Sequence, residues 1–357
     1  MSPRLRMRQD LQIAQGYFSP QINSSVKLNN NESPYEPPQK WIDELSENVK
    51  RIQFNRYPDR DATQLRKALA DLNHVSQDNI FCANGSNEVI QALLLAYGGS
   101  RRAALIFEPT YLLHSHIARI TGTNLISGER NQDFRIDPIY ARMLIDSTSP
   151  DILFLCSPNN PTGLCETQDT LTEIYQAAPG LVIIDEAYGE FASWNAIDLF
   201  NVTSSDDRIA IVRTFSKAWS LSSLRLGYLI ASSEIIAACQ AVTLPYHLDA
   251  VSQLGGRLAL KYTDDLHDRV QSIVASRIHL IEQLQRLDVK VLESESNFVT
   301  FRPMVVDAEE VFNRLVEQSV LIRRCNSWDT LQGYLRVTVG THDENLVFLT
   351  ALESALK

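Results

Sequence analysis

Cysteine is scarce and scattered: five in 357 residues, Cys82, Cys156, Cys165, Cys239 and Cys325, with no Cys-x-x-Cys pair. That spacing argues against a disulfide frame or a zinc site and predicts the reduced thiols of a cytosolic protein. Basic residues are in deficit, 33 Lys and Arg against 43 Asp and Glu, for a formal net charge of -10. A surface of that sign repels phosphate backbones, so no nucleic-acid partner is expected. No apolar run approaches the roughly 20 residues that span a bilayer, so no transmembrane helix and no membrane partner are expected. Met1 to Arg8 is basic, but Gln9, Asp10, Gln12 and Gln15 break any apolar region behind it, and no secretory signal is read there. No Gly-x-Gly-x-x-Gly follows a predicted strand, which disfavours a nicotinamide dehydrogenase. A Walker loop and a His-Glu-x-x-His helix are missing too. His114-Ser115-His116 lacks a third ligand at a recognisable spacing, so both histidines are assigned to core or surface and no metal is expected.

What the chain does have is bulk: 44% hydrophobic and 21% charged residues, enough for a large core and more than one domain. Between Ile80 and Ile230 short apolar runs alternate with helical patterns. Strands are predicted at Arg102–Phe107, Asp151–Cys156, Leu181–Ile184, Arg208–Arg213 and Leu226–Ile230, and helices at Asn87–Tyr97, His114–Thr121 and Leu171–Ala178. Continuous apolar strands interleaved with helices predict an α/β sheet buried on both faces. Ala250 to Leu287 is helical in composition. Beyond it, strands at Asn297–Phe301 and Tyr334–Val339 and helices at Ala308–Gln318 and Glu344–Leu356 predict a smaller α+β domain. Pro34-Tyr35-Glu36-Pro37-Pro38 marks an extended arm. The expected division is an arm over 1–40, a large α/β domain over 41–250 and a small domain over 251–357.

In such a sheet, ligands sit at the carboxyl ends of the strands, and the polar motifs fall there. Lys217 follows one strand, Asp185 ends another, and Ser157-Pro158-Asn159-Asn160-Pro161-Thr162-Gly163 follows a third. An amine able to form an imine, a carboxylate able to hold a ring nitrogen protonated and a nearby phenol, Tyr188, are what pyridoxal phosphate asks of a protein. Ser216 and Arg225 offer a hydroxyl and a guanidinium to an anion beside the amine. Asn160 and Tyr188 can both bond a phenolic oxygen. Asn84-Gly85-Ser86-Asn87-Glu88 opens a helix whose amide groups would cradle a phosphate, and Tyr111 is placed to stack on a ring. Each motif alone has a plainer reading. Lys217 would be a solvated charge, Asp185 a cap or ion pair, the Asn-Pro-Gly stretch a turn, Ser86 or Asn87 an N-cap, and Tyr111 packing.

Taken in order, Gly85-Ser86-Asn87-Glu88, Pro109-Thr110-Tyr111, Pro158 to Gly163, Asp185-Glu186-Ala187-Tyr188, Ser216-Lys217 and Arg225-Leu226-Gly227-Tyr228 resemble the fold-type I, class II pyridoxal-phosphate aminotransferases over nearly the whole chain. Leu28 to Tyr35, Asn55-Arg56-Tyr57-Pro58-Asp59 and Leu335-Arg336-Val337-Thr338-Val339-Gly340 resemble the histidinol-phosphate aminotransferases among them, enzymes of histidine biosynthesis. The resemblance implies a mostly parallel seven-stranded sheet flanked by helices, a smaller α+β domain, pyridoxal 5'-phosphate, and a cytoplasmic homodimer. It implies transfer of an amino group between L-histidinol phosphate and 2-oxoglutarate. An aromatic amino-acid aminotransferase and a threonine-phosphate decarboxylase on the same fold are the alternatives.

By the same resemblance Lys217 joins the cofactor covalently, Asp185 pairs its ring nitrogen, and Asn160 and Tyr188 contact its ring oxygen. Tyr111 stacks on the ring, and Ser86, Asn87, Ser216 and Arg225 hold its phosphate. Tyr57 reaches that phosphate from the second subunit. Arg323 and Arg336 grip the substrate phosphate, and Tyr17 assists. Three departures from the family pattern stand out. Trp219-Ser220-Leu221-Ser222-Ser223 replaces a glycine-containing loop, Ser33 stands where asparagine is common, and Arg324 where an acidic residue is frequent.

Overall fold

The computed structural model describes residues 11, 22–199 and 208–357. Tyr17 therefore lies outside the described residues. The chain opens with a short strand, β1 (Val26–Lys27), and the extended Pro-rich arm ends where Pro38 precedes α1 (Gln39–Val49). Then come α2 (Thr63–Asn73), β2 (Ile80–Asn84), α3 (Gly85–Tyr97), β3 (Ala103–Glu108), α4 (Leu112–Ile120) and β4 (Asn124–Glu129). The middle of the chain gives α5 (Pro138–Thr148), β5 (Ile152–Cys156), α6 (Gln168–Ala177), β6 (Leu181–Asp185), α7 (Ala196–Leu199), β7 (Ile209–Thr214) and β8 (Leu226–Ala231). Three helices follow: α8 (Ser233–Val242), α9 (Ala250–Ala259) and α10 (Thr263–Leu284). The last part holds β9 (Val289–Val291), β10 (Phe298–Pro303), α11 (Ala308–Glu317), β11 (Val320–Leu321), β12 (Arg323–Arg324), β13 (Leu335–Thr338) and α12 (His342–Ala355).

Seven strands form one sheet in the order β2-β8-β7-β6-β5-β3-β4, parallel except for β8, which runs against both β2 and β7. Alternate side chains of each strand enter opposite cores. Leu153, Leu155, Val182, Ile184, Ile209 and Ile211 face one, and Ile152, Phe154, Ile183, Ala210 and Val212 the other. That two-sided burial is why these strands are unbroken apolar runs in the sequence. The helices start where local chemistry supplies acceptors for their free amides. Asp137 caps α5, with Pro138 at its first turn, Thr167 caps α6, and Asp249 caps α9. Thr341 and Glu344 make a reciprocal capping box on α12.

A second sheet, antiparallel in the order β12-β13-β10-β9, lies beyond α10 and is packed by α10, α11 and α12. The expected fold class therefore stands: a large α/β unit with a mostly parallel sheet and a smaller α+β sheet. The helical stretch Ala250–Leu287 is two helices, broken at Leu260–Tyr262, and α9 turns back to pack on α1 and α2. The N-terminal segment crosses to the distant part of the chain. β1 pairs in parallel with β11, Leu28 N donates to Leu321 O, and Thr338 N donates to Leu28 O.

Candidate active site

Because β2, β3, β5, β6 and β7 run the same way, their carboxyl ends open on one edge of the sheet. β8 runs the other way, so its beginning, Arg225, arrives at that edge as well. The topology alone thus collects Ser86, Tyr111, Asn160, Asp185, Ser216, Lys217 and Arg225 from six separate stretches of sequence. They line one cavity of about 250 Å³, together with Asn87, Tyr188, Arg323 and Arg336.

Lys217 Nζ donates to Asn30 O at 3.1 Å and lies 5.9 Å from the centre of the Tyr188 ring. Burial and then the Arg336 guanidinium disfavour its ammonium form, bringing its pKa down to about 8 against a partial counter-effect from Glu32. The phenol of Tyr188 receives hydrogen bonds from Asn31 Nδ2 at 2.9 Å and Asn160 Nδ2 at 3.3 Å. Its burial pushes the phenol's pKa up, with Arg336 pulling the other way. Asp185 is buried, its Oδ1 accepting from Ala187 N at 3.1 Å and its Oδ2 facing His114 Nε2 at 2.8 Å. A carboxylate can only accept, so His114 presents Nε2–H to it. The ring's Nδ1 has no partner among the described residues. No lysine or arginine pairs with Asp185 among the described residues. A buried carboxylate held only by an imidazole and one amide is matched to a cationic N–H from a bound ring.

The anion end of the cavity fits a phosphate. α3 begins at Gly85, two residues ahead of its predicted start, and Asn84 supplies no side-chain cap. The plainer reading of Ser86 or Asn87 as N-cap thus fails, and the helix's first amides remain available to a ligand. Gly85 has φ +78°, and a Cβ there would stand 2.8 Å from Arg225 Nη2, so glycine keeps the cradle open. Thr214 Oγ1 donates to Ser216 Oγ at 3.0 Å and so orients that hydroxyl.

At the opposite end, β12 and β13 place Arg323 directly across from Arg336. Arg336 Nη1 donates to Asn160 Oδ1 at 2.5 Å and Nη2 to Asn29 O at 3.0 Å, while its buried Nε has no partner among the described residues. Arg324 also lines the cavity, but its guanidinium is paired with Glu309 and lies 4.6 Å from the Phe312 ring centre. Its added charge is therefore largely met outside the site.

Residues 23–352 match the model of the aminotransferase class I and II family. The chain belongs to that family. It is 41% identical to histidinol-phosphate aminotransferase of Corynebacterium efficiens, covering 97% of this chain and 94% of that one. Its identity to the same enzyme of Thermobifida fusca is 40%, covering 98% of this chain and 95% of the relative. The solved structure of histidinol-phosphate aminotransferase from Sinorhizobium meliloti in complex with pyridoxal-5'-phosphate superposes with a TM-score of 0.89. That match covers 99% of this chain and 98% of the other at 20% identity. As in that family, the cofactor is pyridoxal phosphate, and the protein is a transaminase.

Tyr57 stands apart from the cavity. It is 80% exposed and its ring stacks on Tyr246 at 4.5 Å. His114, assigned from the sequence to core or surface, is a buried core residue whose contact with Asp185 was not foreseen; its ring is edge-on to Tyr111 and stacked on Phe154. The available signal was its position three residues after Tyr111, one helical turn along α4, which aims both at the same spot. Asn30 and Asn31 were also passed over as site residues. They reach the cavity from the arm through a backbone carbonyl and an amide, which no strand-end pattern reveals. All five cysteines are buried free thiols, and among the described residues no cluster of three or more His, Cys, Asp or Glu is placed to hold a metal. No helix among them is long and apolar enough to cross a membrane.

Proposed function

We propose that this chain transfers the amino group of L-histidinol phosphate to 2-oxoglutarate, giving imidazole acetol phosphate and glutamate in histidine biosynthesis. The observation that carries the substrate assignment is the register of β12 and β13, which sets Arg323 and Arg336 side by side in the lining of the cavity that holds Lys217. Histidinol phosphate has no α-carboxylate, so its dianionic phosphate is the handle, and two guanidinium groups suit it. The relatives at about 40% identity, named for this activity, support the same reading.

When bound, the cofactor supplies the electron sink that makes the substrate's Cα–H acidic. The chain's residues do the rest. Lys217 takes the proton from Cα and returns it to the cofactor carbon on the far side of the amino nitrogen, a base role that its lowered pKa favours. Asp185, oriented by His114, keeps the ring nitrogen protonated. Asn160 and Tyr188 bind the ring oxygen, and Tyr111 covers the ring. Ser86, Asn87, Ser216 and Arg225 hold the cofactor phosphate. Arg323 and Arg336 orient the substrate and later accept the carboxylates of the second substrate, with Tyr17 assisting.

The working form in this reading is a cytoplasmic homodimer in which Tyr57 of each subunit reaches the other's cofactor phosphate. Its outward position and exposed ring support that. The chain divides into an arm (1–40), a large domain (41–250) and a small domain (251–357). Purified protein assayed for kcat/KM with histidinol phosphate, phenylalanine and threonine phosphate tests the proposal. Histidinol phosphate should lead by orders of magnitude. A lead for phenylalanine, or release of carbon dioxide from threonine phosphate, would overturn the substrate assignment.

A further inference from the structure

The arm does more than close one side of the cavity. Over three consecutive residues it bonds three groups to which the proposed function gives ligand-binding or catalytic work. Asn29 O accepts from Arg336, Asn30 O from Lys217 Nζ, and Asn31 Nδ2 donates to the Tyr188 phenol. Bound cofactor and substrate call on those same three side chains. A strap held only by them would be weakest when the site is filled and closure matters most.

One arm contact on the lysine loop involves none of these groups. Ser220 Oγ donates to Ser33 Oγ at 2.7 Å, and Ser33 is itself fixed by bonds to the backbone of Tyr35. Ser220 sits in the loop that follows Lys217, its amide bonded to Lys217 O, and its φ is +60°. A left-handed backbone disfavours serine relative to glycine, so a serine there calls for a compensating contact. The hydroxyl bond to Ser33 is such a contact. The two residues are also positions where the chain departs from the common family pattern, and they meet.

We propose that the Ser33–Ser220 hydrogen bond is a clasp that holds the 29–33 strap over the cavity while Lys217, Tyr188 and Arg336 are engaged by ligand. Both serines are thus positioning residues for substrate binding, a role that rests on the proposed function. Asn31, tied to Thr338 and Asn297, anchors the middle of the strap, and the clasp fixes the end nearest the lysine loop.

The test uses the pyridoxal phosphate-loaded enzyme and the variants Ser33→Ala, Ser220→Ala, their combination, Ser33→Thr and Ser220→Gly. Loss of one hydrogen bond should raise KM for histidinol phosphate about 3- to 10-fold with kcat within about twofold. The double variant should be no worse than either single, because both remove the same bond. Ser33→Thr, which keeps the hydroxyl, should restore KM. Ser220→Gly should raise Tm by relieving the backbone yet still raise KM, a split that a merely structural serine would not give. Amide hydrogen exchange over residues 27–35 should quicken in each variant lacking a hydroxyl. Additive single effects, or unchanged KM and exchange in Ser33→Ala, would overturn the clasp. If wild-type enzyme fails to turn over histidinol phosphate, the proposed reaction falls, and the exchange comparison alone decides the clasp.

Discussion

At the scale of single residues, the site turns on how strongly its buried charges perturb one another. The ammonium form of Lys217 is disfavoured by burial and by Arg336, so half the lysines carry a free amine at about pH 8 and not near the ordinary lysine value. Uptake of pyridoxal phosphate by cofactor-free protein should therefore speed up as pH rises through about 8 and level off above it. Arg336→Gln, by removing a positive neighbour, should move that midpoint upward. A stopped-flow absorbance profile still climbing at pH 10 in the wild type would contradict this. Lys217→Ala should lower kcat by about 10³-fold or more, since the group that moves the proton is gone. Asp185→Ala should cut kcat by about 10²-fold while KM shifts only a few-fold, because the carboxylate acts on the developing charge more than on ground-state binding. Steady-state kinetics on both variants checks these two outcomes. Most of these residues were legible beforehand because each follows an apolar run. His114 was not, since its one signal, the helical-turn spacing from Tyr111, does not reveal the carboxylate it faces.

At the scale of elements, the reversed direction of β8 decides the phosphate end. It brings Arg225 back to the edge where α3 begins, and Gly85 leaves room for the guanidinium. Gly85→Ala would put a methyl group 2.8 Å from Arg225 Nη2 on a backbone at φ +78°. Affinity for pyridoxal phosphate should fall about tenfold, and stability by ~1 kcal/mol for the left-handed alanine. Equilibrium dialysis and denaturant unfolding separate the two effects. The central strands could be read from sequence because both of their faces are buried. β4 could not: it lies at the sheet edge, with Asn124, Ser127 and Glu129 exposed, and it lacks a continuous apolar run. The two-residue strands β1, β11 and β12 are too short for any period to register, yet β12 positions Arg323.

At the scale of the whole molecule, stability carries a pH signature away from the catalytic cavity. Burial raises the Glu190 carboxyl to about 7 despite the opposing pull of Arg213, and its Oε2 has no partner among the described residues. Between about pH 4.5 and 7 the folded chain keeps a proton that the unfolded chain has released, so this group's contribution falls as pH rises through that window. Glu190→Gln should flatten the decline, leaving the variant more stable than the wild type at pH 8 relative to pH 5. Urea midpoints at the two pH values measure it, and parallel profiles would count against the assignment. The division into a large α/β unit and a smaller α+β unit was visible in the change of pattern after residue 287. The path of the arm was not, because its partners lie 157 to 307 residues away and leave no local trace.

That path has a consequence for biosynthesis on the ribosome. Asn31 takes its place by bonding Thr338, 307 residues further on, and Leu28 is pinned by Leu321 and Thr338. The parallel sheet can assemble as its strands emerge, but Leu28 and Asn31 lack these anchors until translation has passed residue 338. The lysine pocket is therefore sealed only after nearly all of the chain has been made, and a nascent chain stalled before that point would carry an open pocket.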